Sequence, residues 1–227
     1  MANFERHLEV AAIVGGAVST ALLRAGIVSP GGAAVLWAAS CVGGVLPDID
    51  LGTSLATKNI FVGLGVIAAL AVATGWSGPN IFEIWAACVV AYLGVRYVLK
   101  SGLNRVVEHR GVVHSVLCGV LMWFIVTSVL SLIDFGSIYA WVTGSFVFLG
   151  FLLHLILDEV YSVDIVGFRV KKSFGSALKL VDRRERWVSV MMAAATIVFF
   201  FLAPWPGPFV SFIVDYHTYY AIWEGFM

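Results

Sequence analysis

The sequence predicts an all-α protein, a polytopic membrane helical bundle of about seven transmembrane helices with its N-terminus in the cytoplasm. Three observations carry this. Of 227 residues, 60% are hydrophobic and only 12% charged, with a mean hydropathy of +0.95; soluble domains carry about 25% charged residues and cannot hide that much apolar surface. Seven apolar stretches are separated by turn residues. Thirteen of the 14 Lys and Arg residues fall on one side of the topology those stretches generate.

The stretches lie near residues 8–26, 32–47, 59–76, 82–99, 112–132, 138–160 and 187–204, each long enough or nearly so to cross a hydrocarbon core of about 30 Å as a helix. Met1 to Leu8 is short and charged, so the first run reads as a retained span rather than a cleaved signal. The second is rich in Gly and Ala between Ala33 and Leu46, which predicts tight packing against neighbouring helices. Ser29 to Gly32, Pro47, Gly78 to Asn80, Asp134 to Gly136 and Pro204 to Pro208 punctuate the series. Trp76, Trp85, Trp141, Trp187 and Trp205 fall near the expected ends, as interfacial aromatic residues do. Seven spans place the N-terminus and the loops after spans two, four and six on one side with every basic residue except Arg24; the positive-inside rule makes that side cytoplasmic.

The chain reads as a single transmembrane domain over 1–227. Its one long polar stretch, Tyr161 to Arg186, is a cytoplasmic loop with apolar content of its own. Its basic residues Arg169, Lys171 and Lys172 serve either as a topology signal or as a contact with anionic headgroups. Phe209 to Met227 is aromatic and weakly amphipathic, an outer interfacial tail. Cys41, Cys88 and Cys118 stand in apolar segments at no metal-like or redox-like spacing and read as small core residues. Net charge is zero, so no field attracts nucleic acid, and none is expected as a partner.

Mapped on this topology, the imidazoles and carboxylates converge. His7 sits where the first span leaves the cytoplasm, and Asp48 and Asp50 where the second returns to it. His109 and His114 open the fifth span. His154 and Asp158 close the sixth, four residues apart and so on one helix face. Polar side chains in an apolar run are costly and are seldom kept without a partner, a cavity or an ion. Taken singly, His7 reads as an interfacial side chain, Asp48 as a cap, and Asp158 as a partner of Arg110; four segments delivering such groups to one membrane face at one depth point to metal.

Imidazole and carboxylate without thiolate suit zinc first, with manganese or iron as alternatives. Seven candidate ligands are too many for one tetrahedral ion and about right for two divalent ions, bridged by Asp48 or Asp50. Such a pair can clamp a phosphoryl or acyl oxygen and generate hydroxide from water near neutral pH. Arg110 could stabilise developing negative charge or serve as one more inside charge. Ser115 could orient a ligand or bond to a backbone carbonyl one turn back, with a nucleophile role behind these. Glu108 and Glu159 are candidates for accepting the second ring N–H of a ligand histidine or moving a proton, and Asp164 could add to the rim.

At His7, Leu46-Pro47-Asp48-Ile49-Asp50, His109-Arg110-Gly111-Val112-Val113-His114-Ser115 and Gly150-Phe151-Leu152-Leu153-His154-Leu155-Ile156-Leu157-Asp158, the chain resembles a family of prokaryotic inner-membrane proteins described as membrane-bound metal-dependent hydrolases, some labelled LexA-binding. The resemblance runs from the first span to about Asp164. It departs from the family at Arg6, commonly threonine there, and at Leu51, often histidine. It implies hydrolysis and a metal site. The His-x-x-x-Asp helix with a bridging aspartate is also similar to the zinc-phosphoesterase arrangement of phospholipase C and nuclease folds, by analogy alone.

The expectation is therefore a multi-pass protein of the cell inner membrane: a hydrolase with a metal centre on the cytoplasmic side, acting on a phosphoester or ester of a lipid or amphiphile. Two rivals stand beside it. A metal-ion transporter would use the same ligands as a transit site, but wants polar groups continuing toward the outer face, and the outer halves of the spans are nearly devoid of ionisable residues, with Glu83, Asp134 and Asp215 near the ends. A non-catalytic partner protein would use metal to staple the bundle. Oligomeric state is not legible.

Overall fold

The structure is a computed structural model describing residues 4–50, 55–75, 80–99, 113–133, 135–164, 169–170, 178–181 and 185–226. All seven apolar stretches are helical: α1 Phe4–Arg24, α2 Pro30–Val45, α3 Leu55–Gly75, α4 Ile81–Leu93, α5 Val116–Leu132, α6 Ser137–Val160 and α7 Arg186–Leu202. A 3-10 helix, Leu46–Asp50, extends α2, and a π-helical turn, Gly94–Leu99, extends α4. The tail forms α8, Gly207–Val214, and α9, Tyr216–Phe226. The 161–186 loop contains a short antiparallel pair, β1 Val163–Asp164 and β2 Arg169–Val170, with Val163 opposite Val170 and Asp164 opposite Arg169.

Expected as one domain, the chain packs as two compact units, Met1–Pro47 with His114–Met227, and Asp48–Val113. In the first unit α6 is the most buried spanning helix, with α1, α2, α5 and α8 packed on it. In the second, α3 packs on α4, and the Cys88 thiol donates to the Ala69 carbonyl at 3.2 Å.

The helix ends follow from local chemistry. Ser29 caps α2, its Oγ accepting Gly32 N–H at 3.1 Å, with Pro30 pre-set for the first turn. Gly26, at φ +69°, closes α1: Gly26 N–H donates to Leu23 O and Ile27 N–H to Leu22 O, both at 3.0 Å. That is a Schellman termination, which needs the left-handed conformation glycine adopts without penalty. Asn80 caps α4 through Glu83 N–H at 2.9 Å and donates to the Glu83 carboxylate at 2.8 Å. Between α7 and α8, Pro204 and Pro206 withhold backbone donors and the axis turns by 89°.

The span count is coarser than the sequence predicts. Among the described residues α1, α2 with its 3-10 extension, and α6 are long and apolar enough to cross a membrane, and a fourth span is available if α7 and α8 count as one bent pair. α5, with 17 residues, rises about 25 Å, short of the roughly 30 Å core. The outer surface is nonetheless apolar: Phe82, Val90, Met191 and Phe201 are each at least 70% exposed, an arrangement suited to lipid and costly in water.

Interhelical polar contacts lie within this apolar body, as membrane bundles use them. Ser40 Oγ donates to Ala11 O at 3.0 Å and Trp37 Nε1 to Ala12 O at 3.0 Å, fastening α2 to α1. Ser128 Oγ donates to Phe199 O at 2.9 Å, joining α5 to α7. Trp141, 2% exposed, stacks on Phe209 and donates from Nε1 to Pro204 O at 3.0 Å, pinning the bend to α6. Trp141→Phe keeps an aromatic ring but removes the indole N–H, leaving that carbonyl without its donor; thermal unfolding in detergent should register a loss of at least about 1 kcal/mol.

Candidate metal centre

α1 begins, α2 ends, α5 begins and α6 ends at one end of the first unit, because antiparallel neighbours alternate direction. That end gathers His7, His114, His154 and Asp158. His7, His154 and Asp158 are buried, and His114 is the most accessible of the four side chains at 12% exposed.

Asp158 is the hub. Its Oδ1 lies 3.3 Å from His7 Nε2, and its Oδ2 lies 3.8 Å from His114 Nε2 and 3.7 Å from His154 Nε2. Two ligands held about 2.0–2.2 Å from a tetrahedral ion are about 3.3–3.6 Å apart; the His7 separation falls in that range, and the His114 and His154 separations lie just beyond it and are too long for hydrogen bonds. The His7 and His154 rings stack with centroids 3.6 Å apart and planes 14° apart, while His114 meets His154 edge-on at 5.6 Å.

The close crossing of α2 and α6 orients His154. Its Nδ1–H donates to the Gly44 carbonyl at 2.8 Å. A carbonyl can only accept, so the neutral ring carries its proton on Nδ1 and turns the Nε2 lone pair toward the Asp158 carboxylate. Two acceptors face each other there, an arrangement a cation stabilises. A backbone carbonyl holding the distal nitrogen is also how ligating histidines are usually oriented. The crossing itself needs glycine. A Cβ on Gly150 would overlap the Ser40 carbonyl, and one on Gly43 the Val147 carbonyl.

The donor set fits a divalent ion on a second ground. His7 Nδ1 and His114 Nε2 are buried with no hydrogen-bond partner among the described residues, and a buried polar atom left so costs about 1–3 kcal/mol. His7, His154 and Asp158 can each offer one atom, all within 4.8 Å of one another.

The other candidates fall differently. Ser115 is the α5 cap, its Oγ accepting Cys118 N–H at 3.3 Å while the side chain is buried, a role the sequence reading did not assign to it. Val116 N–H and Leu117 N–H donate to the carbonyls of Lys179 and Leu180 at 3.0 and 3.2 Å, so the loop's return segment covers this helix start beside His114. Glu159 follows Asp158 and points about 100° around α6 from it. Asp48 and Asp50 stand in the 3-10 helix, within the second unit. Glu108, His109 and Arg110 lie outside the described residues. His217 is exposed on α9, away from the cluster. The Gly44 carbonyl and the Gly43–Gly150 crossing were not among the candidates; the glycine-rich second span was their only trace in the sequence.

Fold and site together define an integral membrane helical protein with a buried His/Asp cluster at one end of its bundle. The chain belongs to the YdjM inner membrane protein family, whose model matches residues 1–205, a range containing all four clustered side chains and ending before α8. No curated protein and no solved structure matches it.

Proposed function

We propose that this protein is a multi-pass inner-membrane hydrolase whose metal centre lies at the cytoplasmic face, and that it cleaves a phosphoester or ester of a lipid or amphiphile. The observation that carries this is the hub: one buried carboxylate facing three imidazoles from three separate segments at 3.3–3.8 Å. The two Asp158 oxygens face different imidazoles, Oδ1 toward His7 and Oδ2 toward His114 and His154. Asp158 would hold an ion together with His7 and His154, and its second oxygen could reach a further ion, a bridging role that the sequence assigns to Asp48 or Asp50.

When bound, such ions supply a nucleophile from water near neutral pH and neutralise charge on the scissile group. The chain's own groups do the rest. His154 is held in one tautomer by Gly44, His114 marks the accessible edge through which a headgroup approaches, and Glu159 or Glu108 receives a proton while Arg110 holds the anion. The seven-span, N-in topology is part of the same reading, supported by the distribution of basic residues. Transport is less well supported: the buried hydroxyls of Ser19, Ser40, Thr127 and Ser128 donate to backbone carbonyls and do not line a polar path.

The test is elemental analysis of purified protein followed by a hydrolysis screen on phospholipids and lipid esters. At least about one zinc, manganese or iron per chain is expected, with activity falling tenfold or more in chelator and returning with the ion, as a loss of metal-generated nucleophile predicts. Metal-free protein that hydrolyses these lipids, or metal-loaded protein inert toward all of them, overturns the proposal.

A further inference from the structure

The far end of α1 carries a feature the metal centre does not use. A half-open cavity of about 610 Å³ lies between α1 and α9, lined by Gly16, Ala17, Ala21, Arg24, Ile222 and Gly225 among others. Its volume is within the range of small-molecule sites, about 300–1,000 Å³. Its walls are almost wholly apolar. The exception in charge is Arg24, exposed at the mouth and without an ion pair among the described residues. Gly225 draws the α9 backbone close: a Cβ there would stand 3.2 Å from the Arg24 carbonyl carbon. The Glu224 carboxylate accepts the Tyr220 hydroxyl, and no ion pair joins it to Arg24 among the described residues.

We infer that this cavity seats one anionic phospholipid, its phosphate on Arg24 and an acyl chain in the trough between α1 and α9. The depth is appropriate. Tyr216, Tyr219, Tyr220 and Trp223 of α9 are all about half exposed or more, and such aromatic rings mark headgroup level. Arg24 is the one basic residue of 14 that the sequence places at this end, and a guanidinium binds a phosphate bidentately where an ammonium contributes only a point charge. A free phosphate would leave the trough unfilled. The site is separate from the centre at the other end of α1, since His7 and Arg24 are about 25 Å apart along the axis. α9 also lies beyond the residues matched by the family model.

The full chain is reconstituted in vesicles of equal phosphatidylcholine and phosphatidylglycerol, extracted, and examined by native mass spectrometry. The native chain should retain one phosphatidylglycerol with about fivefold preference, the worth of one Arg near a headgroup. Arg24→Ala should lose the preference and Arg24→Lys keep part of it. Ala17→Trp, at an exposed lining position, should block retention of either lipid. All variants should keep the native metal content, which reports an intact fold independently of any hydrolase activity. Equal retention of both lipids by the native chain, undiminished preference in Arg24→Ala, or a dimer that occupies the groove in place of lipid would overturn the inference.

Discussion

Asp158→Ala should strip the protein of metal. Removing a partner of a ligand typically costs about 10–100-fold in metal affinity; removing the carboxylate that three imidazoles share should cost at least about 100-fold, beyond the top of that range. Asp158→Asn should do nearly the same, because the amide keeps the shape and loses the charge that offsets the ion. Measuring metal per chain after dialysis against a competing chelator decides it. Native retention by either variant would mean that the carboxylate is only an ion-pair partner for the histidines and that no ion rests on it. His154→Ala should follow Asp158→Ala, whereas His217→Ala, far from the cluster, should leave metal content alone.

Gly150→Val should do its damage before chemistry begins. The added side chain meets the Ser40 carbonyl and the Gly44 amide, both backbone, so neither can swing aside as a flexible side chain would. Overpacking of this kind costs about 1–3 kcal/mol and occasionally more, and a backbone collision belongs at the upper end. The helices must part, which moves the Gly44 carbonyl off His154 Nδ1 and releases the ring. Lower thermal stability together with weaker metal binding is expected. Gly63→Ala is the control, since a Cβ at Gly63 meets nothing within 4 Å and alanine is the better helix former. Equal stability of Gly150→Val and the native chain would refute the close α2–α6 crossing.

Much of the site was legible because it obeys local rules. His154 and Asp158 stand four apart in an apolar run, and helical periodicity alone puts them on one face. His7 and His114 were recognisable by where the apolar runs begin, given alternating spans. The helices themselves were visible in run length and breakers, with the observed bounds within a few residues of the expected ones. Ser115 was harder: the same hydroxyl can serve a ligand, a carbonyl or a helix start, and the cap shows only in the backbone conformation before Val116. The 89° turn after α7 was hinted at by its prolines, but their number does not determine an angle.

Composition and periodicity determined that this is a helical membrane protein, which residues form its helices, and which ionisable groups stand at a helix end in an apolar setting, because each depends on neighbours along the chain. The tertiary structure decided that Asp158 stands against His7, His114 and His154 at once, that a backbone carbonyl on α2 fixes the His154 tautomer, and that the helices divide into two units. Those depend on how closely two backbones approach. That distance is set by pairs of small residues more than a hundred positions apart, whose mutual placement no local pattern encodes.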